Sequence, residues 1–334
     1  MKKLFLIIIA ILFSFSILSC ANNVDTSNWI SDFSSAKKAA VKENKKIFLF
    51  FSADDMDQVS KNLKENVFNT EDFLKTYTEK YILVNLDFSD SRYDSDQDGL
   101  QEDMKISERY NIQTVPYFFI LSKEGYVITT LAFDASADFD TVKITFSEAG
   151  ETVAKFDENL AKTQTGTKEE RLQAINDIYE HTNPQLVYHL TPLNQLYLSL
   201  DKNNESGNCS RHLFAISYAK CFDFMLDNEQ QKVPEEFASL AKNKLLSAEE
   251  KQMAFYNAGY FLAQSGSTDY EKIKDYFQKA YDAAPETEEA ATLQTAITRL
   301  QMMIDGEGDE LTQESEPVEG PAAAPAEEAA PAAE

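Results

Sequence analysis

A mixed α/β domain followed by an all-helical domain is the fold class this sequence predicts, and three observations predict it. Between residues 28 and 160, two short apolar runs alternate with stretches of helical period, and two further strand patterns are joined by a tight turn. From about Thr167 to Ile304 the strand pattern vanishes and one helical period follows another. The length of 334 residues suits two globular domains, each able to bury a core without disulfide staples.

The first domain reads in order. Trp29 to Glu43 carries apolar residues at Trp29, Ile30, Phe33, Ala36, Ala40 and Val41, a helical spacing. Lys46 to Ser52 is a continuous apolar run, as expected of a strand buried on both faces. Helices follow through Asn62, Leu63, Val67 and Phe68, then through Phe73, Leu74 and Tyr77. Tyr81 to Phe88 is a second buried strand. A polar loop and a short helix ending at Tyr110 lead to Thr114-Val115-Pro116 and a strand from Tyr117 to Ser122. The turn Lys123-Glu124-Gly125 joins it to a hairpin partner, Tyr126 to Phe133, and Phe139 to Leu160 returns to helix.

These landmarks carry a family likeness. Trp29, Phe33, Ala36, Ala40 and Lys45 before Ile47-Phe48-Leu49-Phe50-Phe51, then Val84-Asn85-Leu86-Asp87, Tyr110-Asn111-Ile112 and Val115-Pro116, resemble the thioredoxin-like family over residues 28–160. The resemblance implies a cis peptide bond before Pro116, opposite a Cys-x-x-Cys motif at the start of the helix that follows the first buried strand. In that stretch the two cysteine positions fall at Asp57 and Ser60, and the domain has no cysteine elsewhere. Thiol–disulfide exchange requires an attacking thiolate, so dithiol chemistry at this site is excluded. An Asp at Asp57 suits a helix N-terminus, where its charge offsets the dipole.

The segment after the second strand contains Asp94, Asp96, Asp98 and Gly99 in a D-x-D-x-D-G pattern, which resembles the opening half of EF-hand-type calcium loops. Position 12 of such a loop is Lys105 here, not Glu, and Asp103 is the residue that could substitute. The pattern reads either as a calcium site or as a solvated cluster of carboxylates, and calcium is the one cofactor the sequence offers.

In the second domain, residues 161–304, the predicted helices are Lys168–Tyr179, Gln185–Leu200, Cys209–Asp227, Glu235–Leu246, Ala248–Gln264, Asp269–Ala284 and Glu288–Ile304. Phe255, Gly259, Leu262, Gly266, Phe277, Ala280 and Pro285 resemble one tetratricopeptide repeat, where small residues permit close helix packing. An irregular bundle fits the spacing equally. Cys209 and Cys221 share one predicted helix and are ~18 Å apart along it, too far for a disulfide. Asn208 is the expected cap of that helix, with Cys221, Phe214, Tyr218 and Met225 on its buried stripe; Cys209, near the helix start, is expected to react faster than Cys221. His181, His189 and His212 with Cys209 match no zinc spacing.

The ends read differently. Met1-Lys2-Lys3 precedes an apolar run, Leu4 to Leu18, of about 15 residues, short for a bilayer span of ~20 but suited to a signal peptide. It closes on Ile17-Leu18-Ser19-Cys20, which resembles the bacterial lipobox. The resemblance implies removal of residues 1–19 and acylation, with palmitate among the chains, of Cys20, leaving 20–27 as a lipidated tether. Residues 305–334 hold ten acidic side chains and no basic one among Pro, Ala and Gly, the composition of a disordered tail.

With 31 basic against 56 acidic residues and a formal charge of −25, nucleic acid is excluded as a partner, since phosphate binding needs a basic face. The reading is a cell-envelope lipoprotein, exposed outside the cytoplasm, held to membrane lipid through Cys20. Its redox-inactive thioredoxin-like domain is expected to act as a non-enzymatic module for protein or peptide partners. The alternative is an oxidoreductase relative with residual chaperone- or isomerase-like activity.

Overall fold

The computed structural model describes residues 28–306. Cys20, the 1–19 leader and the tail lie outside them, apart from the tail's first two residues, Asp305 and Gly306. No helix among the described residues is long and apolar enough to cross a membrane.

A five-stranded sheet runs in the order β1-β3-β2-β4-β5. β2 (Lys46–Ser52) and β3 (Tyr81–Asp87) are parallel and central, and both are buried as their unbroken apolar runs require. β4 (Tyr117–Leu121) pairs antiparallel with β2, and β5 (Val127–Leu131) closes the hairpin through Gly125, whose φ of 93° suits the turn. β1 (Trp29–Ile30) corrects the sequence reading. These two residues pair in parallel with Leu83 and Val84, and helix α1 (Phe33–Glu43) starts only after Asp32, whose side chain accepts from the Ser34 and Ser35 amides.

α2 (Gln58–Leu63) runs into a π turn over Lys64–Phe68, and α3 (Glu71–Tyr77) leads into β3. The predicted polar loop is instead two helices, α4 (Asp90–Ser95) and α5 (Gln97–Arg109). The helix predicted to end at Leu160 is α6 (Phe139–Thr165), 27 residues long and ~40 Å at 1.5 Å per residue. The 160/161 boundary therefore falls inside a continuous helix.

α7 (Lys168–His181) opens on a capping box formed by Thr167 and Glu170. The predicted helix 185–200 is split into a 3-10 segment, Pro184–Leu190, and α8 (Thr191–Leu200), because Pro192 has no amide hydrogen to continue the ladder and sits in the first turn of α8. α9 (Cys209–Leu226) is one helix, as predicted. Asn208 makes no side-chain cap; Asn204 Oδ1 accepts from the Cys209 amide instead, at 2.9 Å. Phe214 and Cys221 are buried, but Tyr218 and Met225 are exposed. α10 (Val233–Leu240) starts two residues earlier than predicted, with Pro234 in its first turn, and is shorter. α11 (Ala248–Gln264), α12 (Tyr270–Ala283) and α13 (Glu288–Ile304) complete the array. A Cβ at Gly259 would lie 2.6 Å from Phe277 Cε1, so glycine is what lets α11 and α12 approach there.

One core joins the two halves. Phe48, Phe50 and Phe118 on one sheet face form a cluster that continues through Phe146 and Phe156 of α6 to Ile175 and Ile178 of α7. The same cluster reaches Leu193 and Tyr197 of α8 and Cys209 of α9. On the opposite face Leu186 of the 3-10 segment joins Phe33, Tyr110 and Phe119. The 3-10 segment also caps α5, since the Tyr188 hydroxyl and His189 Nε2 both approach the Arg109 carbonyl.

Trp29, the sole tryptophan, packs among Phe48, Phe68 and Phe73 in this shared core. Ile178→Ala, on α7, is expected to cost about 2–5 kcal/mol. It should lower the melting midpoint read by Trp29 fluorescence as much as that read by helical circular dichroism. A Trp29 transition left in place while the helices melt early would show two separate cores.

Candidate functional site

The site is built at the carboxyl end of the central strands. The register sets Ser52 beside Asp87 and Phe51 beside Tyr117, so Pro116, one residue before Tyr117, adjoins the turn that leaves β2. In that turn the amides of Met56 and Asp57 both donate to the Ala53 carbonyl, at 3.0 and 2.7 Å. Asp57 then caps α2, its Oδ2 accepting from the Ser60 amide at 2.6 Å. Ser60 is buried, and its Oγ lies 3.4 Å from the Ala53 amide that donates to it. The two sequence-predicted positions are thus a helix cap and a clamp on the preceding turn. Neither carries sulfur, and no thiolate can form at either.

Acidic side chains that the sequence reading passed over organise the same end. Asp87 Oδ1 accepts from the amides of Asp54 and Ser89, at 3.3 and 3.1 Å, and its Oδ2 accepts from Ser89 Oγ at 2.9 Å. Asp55 accepts from the amides of Asp90 and Ser91, at 3.0 and 2.9 Å, and these bonds hold its carboxyl below the usual range. Asp54 pairs with Lys64, and Ser52 Oγ donates to Asn85 Oδ1 at 2.9 Å. Carboxylates at a strand's last residue or within three residues of it are what satisfy the neighbouring amides here, and that placement was the available signal.

Val115-Pro116 is a cis peptide, as the resemblance implied. The backbone groups of Thr114 and Val115 make no hydrogen bond with the described residues. Thr114 is exposed, and Phe88, Val115 and Tyr117 are half-buried on the adjacent core. This end therefore presents unpaired backbone donors and acceptors beside partly exposed apolar side chains.

The calcium reading is corrected. Asp96 caps α5 by accepting from the Gly99 amide at 3.1 Å, with Asp94 in α4 and Asp98 in the first turn of α5. Helical spacing turns these carboxylates away from a common centre. Asp103 is buried and paired with Arg92, which also donates to the Asp87 carbonyl; burial pushes the Asp103 carboxyl up to about 6 against the pull of the guanidinium. Among the described residues no group of three or more His, Cys, Asp or Glu could hold a metal ion.

The histidines are dispersed. His189 stacks on Tyr110 with its Nε2 2.9 Å from the Arg109 carbonyl, and burial holds its pKa down to about 4. His212 stacks on Tyr197 between Asn194 and Asn176, and burial holds it near 3. His181 contacts the Asp177 carbonyl and Lys155. Cys209 does not join them: it is fully buried, its Sγ 3.2 Å from the Asp201 carbonyl. Burial raises the thiols of Cys209 and Cys221 to about 11 and 12, and the position near the helix start leaves Cys209 as buried as Cys221.

Residues 33–132 match the family described as Thioredoxin-like domain, and residues 209–305 match one described as Uncharacterised protein C-terminal domain. No curated protein matches the chain. A solved structure titled DsbH Oxidoreductase is 17% identical, covering 36% of this chain and 83% of that one with a TM-score of 0.33.

Two outcomes check this geometry. Asp57→Cys with Ser60→Cys places two thiols at a helix cap and three residues on, within the ~4.4–6.8 Å Cα range of disulfides. Oxidation should close an intramolecular bond seen as a two-dalton loss by mass spectrometry, and a double variant that stays reduced under air would show that the helix start is misplaced. In the natural sequence, Cys209 and Cys221 should both resist alkylation until denaturant unfolds the chain; labelling of Cys209 in buffer would contradict its burial.

Proposed function

We propose that this chain, whose residues 33–132 are a thioredoxin-like domain, is a lipid-anchored cell-envelope protein that holds extended segments of partner proteins without exchanging disulfides. One observation carries the reading: the helix start where a dithiol would act is a carboxylate cap and a buried hydroxyl, while the neighbouring Thr114–Val115 backbone stays unpaired, with Thr114 exposed. An extended peptide laid along that backbone gains main-chain hydrogen bonds, as in strand addition, and the half-buried Phe88, Val115 and Tyr117 offer it apolar contact. Affinity survives the loss of the thiols, because binding and exchange draw on different atoms. Anchoring rests on the lipobox at Ile17-Leu18-Ser19-Cys20, with acylation of Cys20 as the link to membrane lipid.

The test uses the full chain, since α6 crosses residue 160 and its core extends into α8 and α9. A photo-crosslinking side chain at Thr114, in native membranes, should yield discrete protein adducts; the same side chain at exposed Thr298 on α13 should not. The purified protein should leave insulin disulfides intact. Insulin reduction above the protein-free rate, or identical adduct patterns at the two positions, would overturn the proposal.

A further inference from the structure

A second site lies at the far edge of the sheet, away from Pro116. β5 is an edge strand, and its register with β4 pairs Ile120 with Thr129 and Leu121 with Val127, leaving Ile128 as the extra residue of a bulge. Val127 packs in the core on one face of the sheet and Ile128 in the core on the other. Both nevertheless line one cavity of about 210 Å³, together with Phe156 and Asn159 of α6 and Ile178 and Thr182 of α7. Neighbours that face opposite sides of a strand meet in one space only at the strand's edge, so the cavity adjoins the β5 backbone.

The floor is apolar except for two side chains. Thr182 is satisfied, its Oγ1 donating to the Ile178 carbonyl at 2.8 Å. Asn159 is not. It is 7% exposed, yet its carboxamide makes no hydrogen bond with any described residue. That amide opens into the cavity, where solvent can pair with it, so a ligand that displaces the solvent keeps affinity only by offering the same hydrogen bonds. A carboxamide offers one acceptor and two donors, so its complement is a group that also donates and accepts.

The rim sets the charge. Lys155 Nζ lies 3.3 Å from His181 Nε2, and Glu151 and Asp177 stand on the same margin. Both signs are present, so a charged ligand gains no net attraction while losing its hydration. Size sets the body: an apolar cavity of about 150 Å³ admits benzene, and this one is larger.

We propose that this cavity binds a small uncharged molecule that joins a compact apolar ring to a carboxamide, Asn159 donating to the ligand's carbonyl oxygen and accepting its N–H. The site is independent of peptide capture at Thr114. It uses α6 and α7, which lie beyond the residues matching the thioredoxin-like family.

Benzamide, benzene and benzoate, titrated into the methyl-labelled full chain, test this by NMR. Benzamide should shift the Ile128 and Ile178 methyl resonances saturably, at least tenfold more tightly than benzene or benzoate. Asn159→Leu should lose that preference and take benzene at least as well. Asn159→Ala repeats the test with a smaller change, and an unshifted melting midpoint shows that either variant is folded. Absence of saturable shifts with benzamide, equal affinity for benzamide and benzene, or an unchanged preference in a folded variant would each overturn the proposal.

Discussion

Phe48, Phe50 and Phe118 are buried against a helix that does not stop where the sheet stops. Ring centroids 4.8 Å apart between Phe50 and Phe118, and 5.2 Å between Phe48 and Phe146, tie the sheet to α6. The same helix carries Phe156 onward to Ile175, Ile178, Leu193 and Tyr197. The sheet closes this core only with α7 and α8, whereas α9 to α12 build a further core around Phe214, Phe237, Leu240 and Tyr276. Burial of apolar surface at about 25 cal/mol per Å² makes that shared face a stabilising term common to the sheet and to α6, α7 and α8. Residues 133–208, between the two matched segments, thus carry most of the helical side chains that share the sheet's core.

The polar end of the sheet depends on that core being rigid. Asp57, Asp55, Asp87 and Asp96 each accept backbone amides at the start of a helix or turn, so the acidic residues here hold chain direction. The end belongs to the thioredoxin-like fold, and the groups at its helix start are a carboxylate and a hydroxyl. Hydrogen bonding to a fixed carboxylate is compatible with peptide contact and incompatible with nucleophilic attack on a disulfide.

Much of this was legible in the residues. Strands with both faces buried write themselves as unbroken apolar runs, which is why Lys46–Ser52 and Tyr81–Asp87 were plain. The hairpin at Gly125 was plain too. The misreadings share a cause, since one local pattern serves two structures. Asp96-x-x-Gly99 is as much a helix cap as half of a cation loop, and only Arg92, held against Asp103 by tertiary packing, decides between them. Trp29-Ile30 fits a helical period but is captured by the edge of β3. Residue 160 was taken for a boundary because the helix after the hairpin was read as ending there, although Phe156 and Leu160 keep the helical stripe running toward Thr163. Asn159 gave no signal at all; a polar residue on a helix facing a cavity looks like any solvated one.

The continuity of α6 across residue 160 has a consequence for survival among proteases. Domains are ordinarily separated by exposed, extended linkers, and those are where cleavage begins. Here only Gly166 and Thr167 interrupt the passage from α6 to α7, and the Arg171 guanidinium, donating to the Thr163 carbonyl at 2.7 Å, braces that corner. An enzyme that must bind several residues in extended form finds no such stretch between the halves. Cleavage at this junction must await opening of the common core, so its rate follows the population of the unfolded chain.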